Sequence, residues 1–240
     1  MSSFSSSAAH THTVPQPAPD RSYCAMPMPR SSLGFYSLTG AESRRRLWHM
    51  TPGLLPIPLQ FISHRDPLSP TLWWIILAVI AVLTAHIFLR FRRIRRNVAD
   101  VGTSAITGYA AAVLLTIVAL PDRLEVGLAV LAILAFGDGS ASLFGQLLRG
   151  PALPWNPGKS WSGLLAFLFF GGLLTAWIYW GETQNPEALE PALTFPQALL
   201  LTLPAVAACA FIESIPSRIN DNIRVGFTAA ICLALLSLCR

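Results

Sequence analysis

The stretch LEVGLAVLAILAFGDGSASLFGQLL, Leu124 to Leu148, opens as an apolar run and is then interrupted by a carboxylate set between two glycines. The 16 residues from Pro121 to Phe136 make about 24 Å of helix, against a bilayer hydrocarbon core of about 30 Å. Asp138 is therefore expected at the edge of a bilayer or a few ångströms inside it. A carboxylate there is costly unless it is paired, wetted or bound to a cation, which makes it a functional candidate.

Composition supports a membrane setting. Of the 240 residues, 53% are hydrophobic and only 12% charged, half the roughly 25% of an average soluble domain. Other apolar segments lie at about 47–62, 71–91, 105–120, 161–180, 196–212 and 223–239. With 124–136 and its continuation to 148, they make seven. The expected fold is all-α, a polytopic transmembrane helix bundle over residues 44–240. Three prolines in 47–62 make that segment irregular or re-entrant. Residues 1–43 are rich in Ser and Pro and lack a continuous apolar core, so they are expected to form a disordered tail rather than a signal peptide or a folded domain. His10 and His12 in that tail are read as bland. Cys24, Cys209, Cys232 and Cys239 form no C-x-x-C pair, and the last three lie in or beside apolar runs, so they are read as small apolar residues. The net charge of +5 sits on arginines beside apolar runs, with no soluble basic domain to hold a duplex, and nucleic acid is set aside.

Those arginines orient the chain. If Arg44 to Arg46 are cytoplasmic and every segment crosses, twelve of the fifteen Lys and Arg residues from position 44 on fall inside, and only Arg65, Arg123 and Arg240 fall outside. The cluster RFRRIRR, 90–96, then serves topology and lipid headgroups. The loops 90–104 and 137–160 and the polar stretch ESIPSRINDN, Glu213 to Asn222, land on the same cytoplasmic face, so polar insertions far apart in the chain converge there.

The residue types in these insertions point to phosphate chemistry. Gly137 and Gly139 are expected to let the backbone leave helical geometry around Asp138 and bring its N–H groups close to an anion. Asp138 itself can hold Mg²⁺, a hard cation that takes carboxylates, waters and phosphates. Lys159 is the only lysine, beside sixteen arginines. It lies in NPGKSW at the start of the next span, where Ser160 can cap the helix and the N-terminus favours anions. The loop is not a Walker A motif, which would need glycine at Leu153 and a preceding strand. Glu213, Asp221, Asn220 and Asn222 lie within ten residues around Pro216 and can complete a Mg²⁺ shell and supply a general base. His49 follows three arginines on one helical face, whereas His86 is read as structural.

GDGSASLFG, LPWNPGKSWSG and ESIPSRINDN, with RRLWHMTPG before them, resemble in order the four elements of the CTP-dependent polyprenol kinases, the family of phytol kinase, dolichol kinase and the CTP-using diacylglycerol kinase. The resemblance covers about residues 45–239. It implies transfer of the γ-phosphoryl group of CTP to the hydroxyl of a membrane isoprenoid alcohol or diacylglycerol, with Mg²⁺ as cofactor. It implies Asp138, Lys159, Glu213 and Asp221 as catalytic residues. Gly137, Gly139, Gly145, Asn156, Lys159, Ser160 and His49 would bind the nucleotide, and Asp138, Asp221 and Asn222 the metal. Ser142, Gly158 and Asn220 depart from the family, standing where a second acid, a second lysine and an aspartate are common. A phosphatidate cytidylyltransferase shares a similar glycine-aspartate stretch but ends in a different signature. A non-enzymatic transporter or scaffold would need charges in mid-helix, and none are seen within the apolar runs.

Overall fold

A computed structural model describes residues 40–65, 67–94, 103–188 and 190–239. The expected tail lies outside the described residues up to position 39, and its last four residues form the first turn of helix α1, Gly40–Met50. A 3-10 turn, Thr51–Leu54, and the short α2, Pro56–Leu59, carry the Pro-rich segment. Four of the remaining six helices are Leu124–Leu148 (α5), Trp161–Thr183 (α6), Phe195–Ser214 (α7) and Asp221–Leu238 (α8). Each is long and apolar enough to cross a membrane. They follow α3, Pro70–Ile94, and α4, Thr103–Ala119. RFRRIRR continues α3 as far as Ile94, and its last two residues lie outside the described residues.

Helix α5 is the spine. It packs against α4, α6 and α8, and its apolar window is 83% buried, against 33–44% for the other three long helices. Lipid tails are as apolar as leucine, so helices in a bilayer associate by close packing of small residues. Residue 137 shows this directly: a Cβ on Gly137 would lie 2.7 Å from the Phe167 ring of α6, and one on Gly171 would lie 3.0 Å from the Gly137 backbone. Leu200, Ile231 and Leu235 point outward and exposed, as lipid-facing side chains do.

Neighbouring helices alternate in direction. His49 meets Asp138 at one end of the bundle, while His64 meets Glu182 at the other with Nε2 to Oε1 at 2.6 Å. Residues 49–64 therefore run the length of the bundle in broken helical turns, as the prolines require. At the far end Arg123, just before α5, bonds the Ser237 carbonyl near the end of α8 at 2.8 Å and Glu190 at 2.9 Å.

Two local expectations are corrected. The Gly-Asp-Gly does not break the helix: Ile133–Asp138 is a π turn inside a continuous α5, and Asp138 and Gly139 keep right-handed helical angles. The glycines serve close packing, Gly137 against Phe167 and Gly139 against Met50. Residues 139–148 are helix, as the continuation of the apolar segment to 148 implied, so the 137–160 loop begins only after them. That helix stops at Arg149, which takes the left-handed conformation (φ 42°) common at helix ends. An antiparallel hairpin follows, β1 (Ala152–Leu153) and β2 (Asn156–Ser160), a small sheet that an all-helical reading did not include.

Candidate functional site

The site forms where the C-terminal ends of α5 and α7 meet the N-terminal ends of α6 and α8. Each side chain in it is placed by a local device. The π turn of α5 opposes a second one in α6, Phe167–Gly171. Ser140 Oγ ties them together, donating toward the Gly137 and Ala166 carbonyls at 3.0 Å each. π turns re-aim the residues that follow them and recur at functional sites. Here the turn presents both the Asp138 carboxylate and the Leu134 carbonyl to α1. His49 Nε2 lies 3.0 Å from Asp138 Oδ2 and 3.1 Å from Leu134 O; both partners are acceptors, so this nitrogen carries the proton. The Tyr109 ring of α4 stands edge-on to the His49 ring at 5.4 Å and fixes its plane.

The hairpin delivers the lysine. Trp155 Nε1 donates to Ser214 Oγ at 3.1 Å and Asn156 Nδ2 to the Ser214 carbonyl at 2.9 Å, pinning the hairpin to the end of α7. Lys159 Nζ then bonds Glu213 Oε1 and, at 3.0 Å, Asp221 Oδ2. Two polar insertions far apart in the sequence are thus joined by one ammonium group. Burial works against that charge, but the Glu213 and Asp221 carboxylates outweigh it and hold the Lys159 ammonium above the usual lysine range. Ser160 caps α6 as expected, accepting from Gly163 N at 3.3 Å. Asn220 caps α8, accepting from Asn222 N at 3.0 Å.

Two cavities meet at Lys159. One, of about 340 Å³, is polar and is lined by Arg45, Arg46, Ser142, Gly145, Gly158, Ser160 and Glu213 as well as Lys159. The other, of about 550 Å³, is an apolar groove among α1, α2, α3, α4 and α5, and its polar end carries His49, Asp138, Lys159, Asp221 and Asn222. Arg45, Arg46, Ser142 and Lys159 line both.

Most of the residues singled out in the sequence gather here. Gly139 lines the apolar groove and Gly145 the polar cavity. Two do not face a ligand space. Gly137 is buried against Phe167, and Asn156 is a brace whose amide is used on Ser214 and on the Gly158 N–H. Sequence reasoning missed Arg45 and Arg46 by assigning them to orientation alone. Their signal was present, since positions four and three before His49 share its helical face. Tyr109 carried no signal within its apolar segment.

Among the described residues no three His, Cys, Asp or Glu side chains converge into a ready metal cage. The donors present are Asp221, Asn222 and Asp138 around one opening. Such a set suits Mg²⁺ that arrives on phosphates, because this ion commonly takes one or two carboxylates with phosphate oxygens and waters.

No protein-family model matches the chain, and no solved structure matches it. Over 132 residues, 54% of the chain, it is 28% identical to phytol kinase 1, chloroplastic, of Arabidopsis thaliana, and the match covers 42% of that protein. It is 28% identical over 123 residues to a probable phytol kinase 3, chloroplastic, of Glycine max, covering 37% of it. It is 29% identical over 103 residues to a probable phytol kinase 1, chloroplastic, of the same plant, covering 33%. The chain thus spans well under half the length of the curated relatives it matches. With one phytol kinase and two probable phytol kinases among its relatives, the chain resembles the polyprenol kinase family.

Proposed function

We propose that the chain is an integral membrane kinase that transfers the γ-phosphoryl group of CTP to the hydroxyl of a membrane lipid alcohol, phytol or a similar isoprenoid alcohol. One observation carries this reading: a polar cavity flanked by arginines and an apolar groove open onto the same lysine. A soluble nucleotide and a lipid need such a pair of spaces, with the reacting atoms at the junction.

Phosphoryl transfer asks a protein mainly for positioning and charge stabilisation. Lys159, aimed by Glu213 and Asp221, meets the charge on the γ-phosphate, and Arg45 and Arg46 hold the rest of the nucleotide. The alcohol oxygen attacks the γ-phosphorus, the bond from that phosphorus to the β,γ-bridging oxygen breaks, and CDP leaves. Asp138, braced by His49, takes the hydroxyl proton. This role suits Asp138 better than Glu213, because Asp138 lines the apolar groove while Glu213 lines the polar cavity. Asp221 and Asn222 are the groups that would hold Mg²⁺, which supplies charge neutralisation on the phosphates. The arginine-rich loops put this junction on the cytoplasmic face in our reading.

The test is purified full-length protein in lipid nanodiscs, given γ-labelled CTP or ATP, Mg²⁺ and a panel of lipid alcohols. Label transfer to an isoprenoid alcohol, with CTP well above ATP and loss on chelation, is expected. Pyrophosphate release with a CDP-lipid product would instead assign a cytidylyltransferase, and no transfer to any alcohol would overturn the proposal.

A further inference from the structure

We infer that Arg224 is a positioning residue: it holds the Asp221 carboxylate in place for a cation-bound triphosphate once that phosphate draws Lys159 away; this rests on the lipid alcohol kinase reading above. Arg224 is the fourth residue of α8, near the helix end whose dipole disfavours a cation. Its side chain reaches back across the turn that joins α7 to α8. There Nη1 donates to the Ile215 carbonyl at 3.0 Å, just past the end of α7, where the dipole favours a cation and the last carbonyls lack helical partners. The same nitrogen stands 3.9 Å from Asp221 Oδ1, one turn earlier on α8. Arg224 therefore ties the end of α7, which carries Glu213, to the start of α8, which carries Asp221.

The grip on Asp221 is incomplete. At 3.9 Å the pair is too long for a hydrogen bond, and Arg224 Nη2 is buried with no hydrogen-bond partner among the described residues. A buried donor left without a partner costs stability, and a carboxylate that moved about 1 Å closer would relieve that cost with a charge-assisted bond. The other oxygen of Asp221 is meanwhile held by Lys159 at 3.0 Å.

Nucleotide binding shifts this balance. An ammonium has three donors, and Lys159 spends two of them on Glu213 and Asp221. Glu213 is buried and loses a partner only at high cost, whereas Asp221 is 39% exposed. A triphosphate at the junction of the two cavities thus takes Lys159 at the expense of Asp221. Arg224 then closes on the freed carboxylate as a two-pronged pair. Each carboxylate oxygen has two lone pairs, so a second pair stays open to the cation on the phosphates. A lysine at this position would supply the charge without the planar fork.

The experiment uses the full chain in nanodiscs with β,γ-methylene CTP, which cannot release its γ-phosphate, and Mn²⁺, which binds the same oxygen ligands as Mg²⁺ and is read by electron paramagnetic resonance. With the analogue present, Arg224→Gln should weaken Mn²⁺ binding at least tenfold, and Arg224→Lys should recover part of the loss. In an Asp221→Asn chain, Arg224→Gln should weaken it no further, because the group it acts through is gone. Arg224→Lys carries the same comparison should Arg224→Gln fail to fold. A role confined to bracing the turn would lower the unfolding temperature and leave the Mn²⁺ affinity of the folded protein unchanged, which overturns the inference, as would equal losses in both backgrounds. Absence of Mn²⁺ binding by the wild type would also overturn it, with the kinase reading then judged on label transfer alone. Mn²⁺ binding that depends on Arg224 without label transfer from CTP to any alcohol would keep the positioning role and remove the kinase reading. Label transfer with a Mn²⁺ affinity indifferent to Arg224 would do the reverse.

Discussion

At the scale of single residues, Lys159 holds together groups that would otherwise repel. Glu213 is only 4% exposed, so removing the ammonium leaves a buried carboxylate without its partner, a change that typically costs about 3–5 kcal/mol. Lys159→Ala should therefore lose both stability and activity, whereas Lys159→Arg keeps the charge and retains partial turnover, because the guanidinium fork does not reproduce a compact ammonium. The double variant Lys159→Met, Glu213→Gln separates the two effects: its unfolding temperature in detergent should recover toward wild type while its kinase activity stays lost. Because the Lys159 charge is held above the usual lysine range, its contribution to stability is complete below the unfolded value of about 10.4 and fades only as pH rises through the higher folded value. Between neutral pH and about pH 10, where Glu213 and Asp221 keep it paired, a melting curve measured against pH should thus show no step from this residue. Asp138→Asn keeps the shape and removes the charge. It should lower turnover by roughly 30- to 1000-fold, the equivalent of about 2–4 kcal/mol, in a radiolabel assay, with unchanged folding by circular dichroism. Near-normal activity in that variant would reduce Asp138 to a packing role.

At the scale of elements, the paired π turns of α5 and α6 set the angle at which Asp138 meets His49. Gly137→Val puts branched carbon where the Phe167 ring already stands, and overpacking of this kind costs about 1–3 kcal/mol. It should lower the unfolding temperature, and Phe167→Leu in the same chain should restore part of it. If Gly137→Val alone melts like the wild type, the two helices are not held by this contact. These turns also mark the limit of what the sequence discloses. The apolar runs give the long helices to within about three residues at each end, since lipid leaves a backbone no partner but itself and helix follows from length and composition. The convergence of Lys159 with Glu213 and Asp221 was legible too, because charge counting put their loops on one face. The state of the Gly-Asp-Gly was not: glycine licenses a break and close packing equally, and only the ring of Phe167, 30 residues on, decides between them. Arg45 and Arg46 were read as orientation signals for a similar reason, since an arginine at a membrane edge looks the same whether or not a ligand space lies beside it.

At the scale of the whole molecule, the alternating helices put every polar group of the site at one end of the bundle and the His64–Glu182 and Arg123–Glu190 pairs at the other. In sealed vesicles of a chain cleared of its native cysteines, Gly158→Cys and Ser217→Cys should react with an impermeant maleimide from the same side, and Glu187→Cys from the opposite side. Labelling of Gly158→Cys and Glu187→Cys from one side would refute the alternation. The meeting of a polar cavity with an apolar groove also fixes what concentration means for this protein. Under the proposed function one substrate is dissolved in three dimensions and the other is confined to a sheet, so the rate should saturate with the mole fraction of alcohol among lipids rather than with its amount in the tube. Diluting the leaflet with inert phospholipid at constant total alcohol would then slow the reaction as surely as withdrawing nucleotide, and membrane composition becomes a control on flux with no regulatory site of its own.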